Sequence, residues 1–314
     1  MPPLRLQEPW FLTGPTASGK TALGVALAER LGAEIISMDS MALYRRMDIG
    51  TAKPSPADRR RVPHHLVDVL EPWQEFSLAD YLRAADEAAR SIAARGRPVL
   101  FVGGTPLYLT SLLRGVDTGP PPDAELRRRL EQEAAEHGPD ALHRRLAAVD
   151  PAAAGRIHPN DVRRVVRALE VFDKTGTPIS KSQVHFHRSP DRPARVLCLE
   201  LPRDELYRRI DARVQRMFDA GLVDEVRTLL ELGSPLSRTA RQALGYKEVI
   251  GHLAGRSSLT ETIALVQCRS RQFAKRQLTW FRSLSECRRV PIAAGFDAEQ
   301  AARDLVSGRR NNDE

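Results

Sequence analysis

Cysteine is scarce in this 314-residue sequence, and the three that occur, Cys198, Cys268 and Cys287, form no Cys-x-x-Cys pair. That spacing argues against a disulfide framework and against a structural zinc site, and it fits a reducing compartment. No run of about 18 apolar residues is present, so no membrane-spanning helix is predicted. The first nine residues also lack the apolar segment of a signal peptide. We therefore expect a cytoplasmic protein that does not span a membrane.

Acidic residues are outnumbered, since 40 aspartates and glutamates face 48 lysines and arginines and give a formal charge of +8. A positive balance favours a polyanionic partner, because cationic side chains release the counterions condensed on it. Lysine occurs only six times, at positions 20, 53, 174, 181, 247 and 275. Coding bias is another source of an excess of arginine. The positions of the arginines are therefore a better indication of a polyanionic partner than their number.

Short apolar runs alternate with amphipathic stretches in the first hundred residues. Strands are predicted at residues 10–13, 34–38, 65–70 and 99–102, and helices at residues 21–31 and 78–94. This alternation is typical of an α/β fold, in which helices cover both faces of a parallel sheet. After Gly119, three prolines precede a charged stretch that has no strand until residues 195–201. We interpret that stretch as an inserted helical subdomain, and we predict further helical stretches at residues 204–233 and 259–284.

A phosphate-binding motif follows the first predicted strand. It comprises Gly14, Pro15, Thr16, Ala17, Ser18, Gly19, Lys20 and Thr21, and it matches G-x-x-x-x-G-K-[ST] between a strand and a helix. Backbone amides and the helix N-terminus attract phosphate oxygens, Lys20 adds a formal charge, and the hydroxyl of Thr21 is suited to Mg²⁺. The motif predicts a P-loop NTPase-like sheet. ATP is its default ligand, but any diphosphate ester presents similar oxygens.

Asp39 follows the second predicted strand, and ligands of parallel sheets bind at the carboxyl ends of strands. Three interpretations stay open: a Mg²⁺ carboxylate of the Walker B type, a substrate-binding or general-base carboxylate, and a helix cap. Thr105 follows Gly103 and Gly104 after a later strand, where two glycines permit close approach to the backbone. A tight strand-to-helix turn explains the same residues. We expect both positions to face the same crevice as the phosphate loop.

Two stretches outside these strands are strongly basic. Asp161 is placed to cap a helix that carries Arg163 and Arg167 one turn apart. Residues 269–289 contain seven lysines and arginines but a single acid. Helical geometry puts Arg271, Lys275 and Arg282 on one side, and Phe273, Trp280 and Leu284 on the other. Such a run is usually a solvated face, but two one-signed faces favour contact with a nucleic-acid backbone.

Seven ordered segments together resemble the bacterial tRNA dimethylallyltransferases, which prenylate adenosine 37 beside the anticodon. They are the phosphate loop and residues 38–40, 47–54, 103–108, 157–161, 244–248 and 275–282. The resemblance implies a phosphate loop that holds the pyrophosphate of dimethylallyl diphosphate instead of ATP, with Mg²⁺ as cofactor. It also implies an enzyme that acts on the tRNA anticodon stem-loop, and we expect it to be a monomer.

The resemblance implies roles for individual residues as well. Asp39 is the base for the adenine N6 amine, Thr105 lies by the reacting centre, and Arg127 is linked with activity. Arg213 joins the phosphate loop in binding diphosphate, and Thr21 is the residue for the metal. The tRNA contacts map onto Asp39, Ser40, Met41, Ala42, Arg163, Arg164, Arg167, Gln242, Gly245, Tyr246, Lys247, Lys275, Arg276, Gln277, Trp280 and Arg282. This sequence departs from the family at Arg241, where relatives usually carry an apolar residue.

These assignments predict three regions. A discontinuous P-loop catalytic core takes residues 1–119 and 193–290, an inserted helical tRNA-binding subdomain takes residues 120–192, and a C-terminal segment with a disordered tail takes residues 291–314. Other functions stay open on the residues alone: a small-molecule P-loop kinase, and an RNA-binding protein switched by a nucleotide. A free adenine nucleotide also stays open as the prenyl acceptor.

Overall fold

A computed structural model describes residues 9–116, 118–182 and 195–307. Within these residues, six strands form one sheet, in which each pair of neighbours is parallel, in the order β3-β2-β4-β1-β5-β6. The strands are β1 (Trp10–Thr13), β2 (Glu34–Ser37), β3 (His64–His65), β4 (Val99–Val102), β5 (Arg195–Glu200) and β6 (Cys287–Pro291). The predicted α/β fold with a parallel sheet is confirmed.

Helices fill most of the remaining described chain. They are α1 (Lys20–Leu31), α2 (Pro56–Arg61), α3 (Leu78–Ala94), α4 (Pro106–Arg114), α5 (Ala124–His137), α6 (Pro139–Val149), α7 (Pro151–Ala154), α8 (Val162–Thr175), α9 (Ile179–Ser182), α10 (Arg203–Asp219), α11 (Leu222–Leu230), α12 (Arg238–Arg241), α13 (Tyr246–Leu253), α14 (Leu259–Arg282) and α15 (Ala298–Val306). Among these described helices, none is both long and apolar enough to cross a bilayer.

The described chain divides by its contacts into two units, residues 110–182 and residues 9–109 together with 195–307. The second unit holds the sheet. In its register Leu12 of β1 and Ser37 of β2 both pair with Val102 of β4, so these three strands end at the same level. Turns at the ends of β1, β2 and β4 are therefore brought together at one edge of the sheet, where parallel sheets bind ligands.

The first unit consists of helices with their own apolar core and contains no strand among its described residues. Leu130 and Leu142 are fully buried in that core with Leu146, Val165 and Leu169. Asp161 caps α8 as predicted, because its carboxylate accepts the amide of Arg164. That this unit binds tRNA stays a prediction.

Several predicted elements differ from the structure. The third strand is only His64–His65, and the helical stretch 204–233 is two helices, because Gly221 takes a φ of 95° between α10 and α11. β6 was not predicted because it is a strand of the sheet edge, whose Arg288 and Arg289 are exposed and give no apolar run. The tail predicted to be disordered, residues 308–314, lies outside the described residues.

Candidate active site

The phosphate loop turns between β1 and α1 through backbone conformations that favour glycine. Gly14 and Gly19 have φ values of 148° and 90°. Space is also short, since a Cβ at Gly14 would lie 3.0 Å from Cβ of Leu199. Gly19 is the N-cap of α1 and offers no side-chain cap. The free amides at the start of α1 are therefore available to an anion.

Two cations stand beside this loop. The ammonium of Lys20 donates a hydrogen bond to the carbonyl of Pro15 at 2.7 Å, and Arg213 of α10 donates to Oγ1 of Thr16 at 3.2 Å. Burial, and then repulsion by Arg213, lowers the pKa of Lys20 to about 8, while Asp39 opposes the shift. Burial also lowers the pKa of Arg213. Burial removes water from both cations, and neither forms an ion pair with an acid among the described residues, so a bound polyanion would stabilise them.

A buried hydroxyl of the loop also lacks a partner. Ser18 is fully buried, and its Oγ makes no hydrogen bond to any described residue. Buried polar atoms are normally satisfied, so an orphan inside a ligand loop indicates a group that the ligand supplies. A phosphate oxygen is an acceptor of that kind.

The donor set at the loop suits a magnesium ion bound through its substrate. Thr21 lies in the first turn of α1 and is exposed. In the part of the chain that the structure describes, no three His, Cys, Asp or Glu side chains are grouped as a metal site. Mg²⁺ typically takes one or two protein oxygens and completes its shell with phosphate and water. The loop therefore fits Mg²⁺ that arrives with a diphosphate.

Asp39 and Thr105 are joined at the ends of β2 and β4. The amide of Ser40 donates to Oγ1 of Thr105 at 3.2 Å. Oδ1 of Asp39 accepts the amides of Met41 at 2.9 Å and Ala42 at 3.4 Å, which is an Asx turn. The other carboxylate oxygen, Oδ2, makes no hydrogen bond to a described residue, and Asp39 is half-buried. One oxygen thus fixes the turn while the other is available to a substrate.

Glycines bring these turns close together. A Cβ at Gly103 would lie 2.3 Å from the carbonyl carbon of Met38, so no other residue fits there without moving the backbone. A Cβ at Gly104 would lie 3.4 Å from the carbonyl oxygen of Gly14 and 3.5 Å from Nζ of Lys20. The turn after β4 therefore lies against the phosphate loop, and the crevice shared by these turns stays a prediction.

Gln277 of α14 links the two turns. Its Oε1 accepts the amide of Thr16 at 2.9 Å, its Nε2 donates to the carbonyl of Gly104 at 2.6 Å, and the residue is only 3% exposed. The resemblance implies that Gln277 is a tRNA contact. The structure places its amide between the phosphate loop and Gly104, where both ends are occupied. Ala274 and Phe281, three residues before and four residues after Gln277, are buried on the same face of α14. This helical spacing is the pattern in the sequence that indicates a buried position for Gln277.

The basic helix α14 differs from its predicted faces. Phe273, predicted on the apolar side, is 37% exposed, because the buried face instead carries Val266, Ser270, Ala274, Gln277 and Phe281. Acids from other elements also compensate three arginines: the pairs are Arg269 with Glu248, Arg271 with Asp211, and Arg282 with Glu200. Lys275 and Arg276 are exposed and pair with no acid among the described residues. They are the cations of α14 that remain free for a polyanion.

A second group of cations lines a cavity of about 220 Å³ beside α12 and α13. Its lining residues are Arg241, Gln242, Lys247, Ile250 and Arg256. None of the three cations pairs with an acid in the described chain. Arg256 was not predicted, because it lies outside the motif at 244–248 and the fold brings it beside Arg241. The three charges form a site suited to one phosphate group.

Other residues predicted to contact tRNA make contacts that support the fold. Tyr246 is fully buried, and its hydroxyl donates to Glu225 at 2.6 Å. The same carboxylate accepts the amides of Asp48 and Ile49 at 2.9 and 2.8 Å, so it ties α11 to the segment after Asp39. The amide of Gly245 donates to Glu248 at 2.7 Å. These contacts give the motifs at 47–54 and 244–248 a structural role, and the tRNA contacts of Gly245 and Tyr246 stay predictions.

Arg127 and Arg167 lie in the helical unit and share one buried carboxylate. Glu170 is fully buried and accepts from Nε and Nη2 of Arg127 at 2.9 and 2.8 Å, and also from Arg167. Arg167 further donates to the carbonyls of Thr118 and Pro120 at 2.8 and 3.0 Å. Arg163 and Arg164 are exposed. The predicted cationic face of α8 is therefore carried by Arg163 and Arg164, while Arg167 braces the start of the unit.

Comparison with known proteins gives a consistent result. A family model described as IPP transferase matches residues 42–284, and a model described as isopentenyl transferase matches residues 8–64. A protein of Geobacter metallireducens named tRNA dimethylallyltransferase is 52% identical over 290 residues, which is 92% of this chain and 94% of that protein.

Solved structures agree with the sequence relatives. The tRNA isopentenylpyrophosphate transferase of Bacillus halodurans is 38% identical with a TM-score of 0.71, and the match covers 96% of each chain. A eukaryotic dimethylallyltransferase acting on tRNA is 27% identical with a TM-score of 0.78, over 98% of this chain and 82% of that one. The chain therefore belongs to the tRNA dimethylallyltransferases, the family whose model is described as IPP transferase.

Proposed function

We propose that the protein transfers a dimethylallyl group from dimethylallyl diphosphate to N6 of adenosine 37 in tRNA and releases diphosphate. The observation that carries this proposal is the meeting of an anion-binding loop with a half-buried carboxylate at adjacent strand ends. Lys20 and Arg213 stand on the anion side, and Asp39 with Thr105 stands on the other. The membership in the tRNA dimethylallyltransferases supports the same reaction.

Asp39 acts as the base in this proposal. The exocyclic amine of adenine is a poor nucleophile, because its lone pair is delocalised, and it loses a proton only as the new C–N bond forms. Oδ2 of Asp39 is available to accept that proton, while the amides of Met41 and Ala42 hold Oδ1. Thr105 orients the turn by accepting the amide of Ser40. A base held in place in this way typically contributes a factor of about 10² to 10⁴.

The phosphate loop stabilises the leaving group. When the allylic C–O bond breaks, negative charge grows on the diphosphate, next to Lys20, Arg213 and the amides at the start of α1. The carbonyl of Pro15 and the hydroxyl of Thr16 that now accept from the two cations give way to phosphate oxygens. Thr21 is the residue that would hold Mg²⁺, and that ion supplies further charge neutralisation at the diphosphate when bound.

The depressed pKa of Lys20 predicts a pH dependence. The free ammonium has a pKa of about 8, so a rise in pH above 8 removes the charge that attracts diphosphate. We expect the affinity of the wild type for inorganic diphosphate, relative to that of Lys20→Arg, to fall by up to about tenfold per pH unit between pH 8 and 10, as linkage to the single proton of Lys20 requires. Isothermal titration calorimetry at constant ionic strength measures this. Lys20→Arg keeps its charge, so its profile contains only the titration of diphosphate itself, and identical profiles for the two proteins would contradict the assignment.

The lowered pKa of Lys20 also determines how the stability of the fold changes with pH. Folding lowers the pKa of Lys20 from 10.5 to about 8, so the unfolded chain binds more protons between these values. This residue therefore destabilises the fold below about pH 8, and its contribution becomes more favourable as the pH rises from 8 to 10.5.

Adenosine 37 reaches the crevice only if the base leaves the stack of the anticodon loop, which costs a few kcal/mol. The free cations offset this cost by holding phosphates of the RNA. In this proposal the cavity at Arg241, Lys247 and Arg256 binds one phosphate, and Lys275 and Arg276 of α14 bind others. This use of Arg241 gives a role to the residue that departs from the family pattern.

Salt dependence tests the cavity. Arg241→Ala and Arg256→Ala should each weaken tRNA binding. Each should also reduce the magnitude of the slope of log affinity against log salt by about 1, the value for one phosphate contact. Filter binding with an anticodon stem-loop between about 50 and 300 mM salt, roughly a sixfold range, measures the slope. Arg90→Ala is the matched control, because Arg90 is exposed and pairs with Asp86 on α3. Slopes equal to that of the control would remove the cavity from the RNA-binding surface.

Mass spectrometry of nucleosides tests the reaction itself. tRNA incubated with the protein, dimethylallyl diphosphate and Mg²⁺ should yield N6-dimethylallyladenosine at position 37 and one diphosphate per transfer. Phosphoryl transfer from ATP to a small molecule, without prenylated RNA, would instead identify a kinase. Prenylation of free adenine nucleotides in preference to tRNA would reassign the acceptor. The monomeric state, the cytoplasmic location and the role of Arg127 in activity stay predictions.

A further inference from the structure

The segment after α14 is part of the sheet unit. β6 pairs with β5 from Val196 with Cys287 to Glu200 with Pro291, and the amide of Ile292 donates to the carbonyl of Glu200 at 2.8 Å. Asp297 then caps α15 by accepting the amide of Glu299 at 2.8 Å. These residues follow position 284, where the matched part of the larger family model ends. No role in the reaction was assigned to them.

α15 packs along α1, the helix that begins at the phosphate loop. Ala302 is fully buried there, and Glu299 pairs with Arg30 at 3.3 Å and with Arg61 at 3.1 Å. Ala298, Ala301 and Leu305 pack against the same apolar core. The C-terminal segment is therefore fixed to the helix whose N-terminus faces the ligand.

Phe296 extends this contact to the loop. A Cβ built at Gly19 would lie 2.7 Å from Cε1 and 2.8 Å from Cζ of Phe296, so the edge of the ring occupies the space beside the glycine. Phe296 and Ala17 both pack against the core that contains Leu23 and Leu27 of α1. Gly19 is the junction between loop and helix and has a φ of 90°. The ring thus lies against the residue that directs the following amides and Lys20.

We propose that Phe296 is a positioning residue for diphosphate, which holds the junction at Gly19 in the conformation that binds the anion. Glycine adopts many backbone conformations at little cost, so a junction built on glycine needs an external support to keep one of them. Without the ring, the binding conformation is populated for only part of the time, and the apparent affinity falls by that fraction. The inference rests on the proposed function only for the identity of the ester that carries the diphosphate.

Calorimetry with inorganic diphosphate and Mg²⁺ tests the proposal on the full chain. Phe296→Ala should weaken diphosphate binding by about tenfold, and Phe296→Leu, which refills most of the space, should recover binding to within about threefold of wild type. Leu305→Ala is the matched control, because Leu305 packs against the same core on the same segment without the contact to Gly19. This control should lower the thermal midpoint and leave diphosphate affinity within about twofold.

Turnover supplies a second readout. Phe296→Ala should raise the KM for dimethylallyl diphosphate by the same factor and leave the KM for tRNA unchanged. Equal diphosphate affinity in wild type and Phe296→Ala would overturn the proposal, and so would equal losses in Phe296→Ala and Leu305→Ala. If Phe296→Ala does not fold, Phe296→Val takes its place, because valine leaves part of the space of the ring empty. Phe296→Val should weaken diphosphate binding by about fivefold, and an affinity within the twofold range of the control would overturn the proposal.

The two proposals fail separately. If the wild type binds inorganic diphosphate and the Phe296 variants lose affinity while no prenylated nucleoside forms, the reaction is wrong and the role of Phe296 stands. If tRNA is prenylated and the variants bind diphosphate as the wild type does, only the role of Phe296 is wrong.

Discussion

Asp39→Asn is expected to lower kcat for dimethylallyl transfer by about 10²- to 10⁴-fold and to leave the affinity for tRNA nearly unchanged. Asparagine keeps an oxygen that accepts the amide of Met41, so the turn after β2 is preserved while the proton acceptor is lost. Single-turnover kinetics with tRNA bound beforehand isolates the chemical step from binding and product release. The result separates a general base from the helix-cap interpretation, which predicts a small effect.

Asp204→Asn is the control for this experiment, because Asp204 is an exposed acid in the first turn of α10. Its turnover should equal that of the wild type. A rate for Asp39→Asn within about threefold of the wild type would exclude Asp39 as the base, since even weak general-base catalysis contributes more. A loss of tRNA affinity as large as the loss of rate would instead make Asp39 a binding residue.

Lys20→Met is expected to lower kcat/KM for dimethylallyl diphosphate by about 10²- to 10³-fold, the usual effect of removing one preorganised group at a developing charge. Methionine fills a similar space without the ammonium, so the change tests charge and not packing. The effect should be confined to the diphosphate substrate, because Lys20 is enclosed beside Pro15 and Arg213. Steady-state kinetics with each substrate varied in turn measures it.

Lys20→Arg restores the charge and should recover part of the loss, limited by the longer and planar guanidinium. Lys20→Met also removes the repulsion between Lys20 and Arg213, and this second effect stabilises the protein without ligand. A higher thermal midpoint together with a lower kcat/KM is therefore the expected pair of results. Unchanged kcat/KM in Lys20→Met would mean that the loop does not hold the leaving group.

The parts of the site that each lie within one short segment could be predicted from local patterns in the sequence. The phosphate loop, the turn at Asp39 and the turn at Gly103 each follow an apolar strand, and parallel pairing of β1, β2 and β4 brings the three together. The capping of α8 by Asp161 is a signal of the same local kind. The three turns could be predicted to meet without knowledge of the strand order, because ligands of parallel sheets bind at the carboxyl ends of the strands.

Contacts between distant segments were beyond sequence reasoning. The arginines of α14 form a run of positive charge with almost no acid nearby in the sequence. Their acidic partners, such as Asp211 and Glu200, lie in elements more than 50 residues away. Gln277 was placed among the tRNA contacts, and its partners, backbone groups of Thr16 and Gly104, belong to segments more than 170 residues away. Phe296 gave no signal at all, since a lone aromatic in a loop is indistinguishable from a packing residue until its neighbour is known.

The central claim is that Asp39 faces the adenine amine while the phosphate loop holds the leaving diphosphate. A crystal structure with an anticodon stem-loop and the unreactive thiodiphosphate analogue of the donor tests it most directly. The account predicts Oδ2 of Asp39 within about 2.6 to 3.2 Å of N6 of adenosine 37, with the diphosphate at Lys20 and Arg213. A carboxylate turned away from the purine, or a diphosphate bound outside residues 14–21, would contradict it.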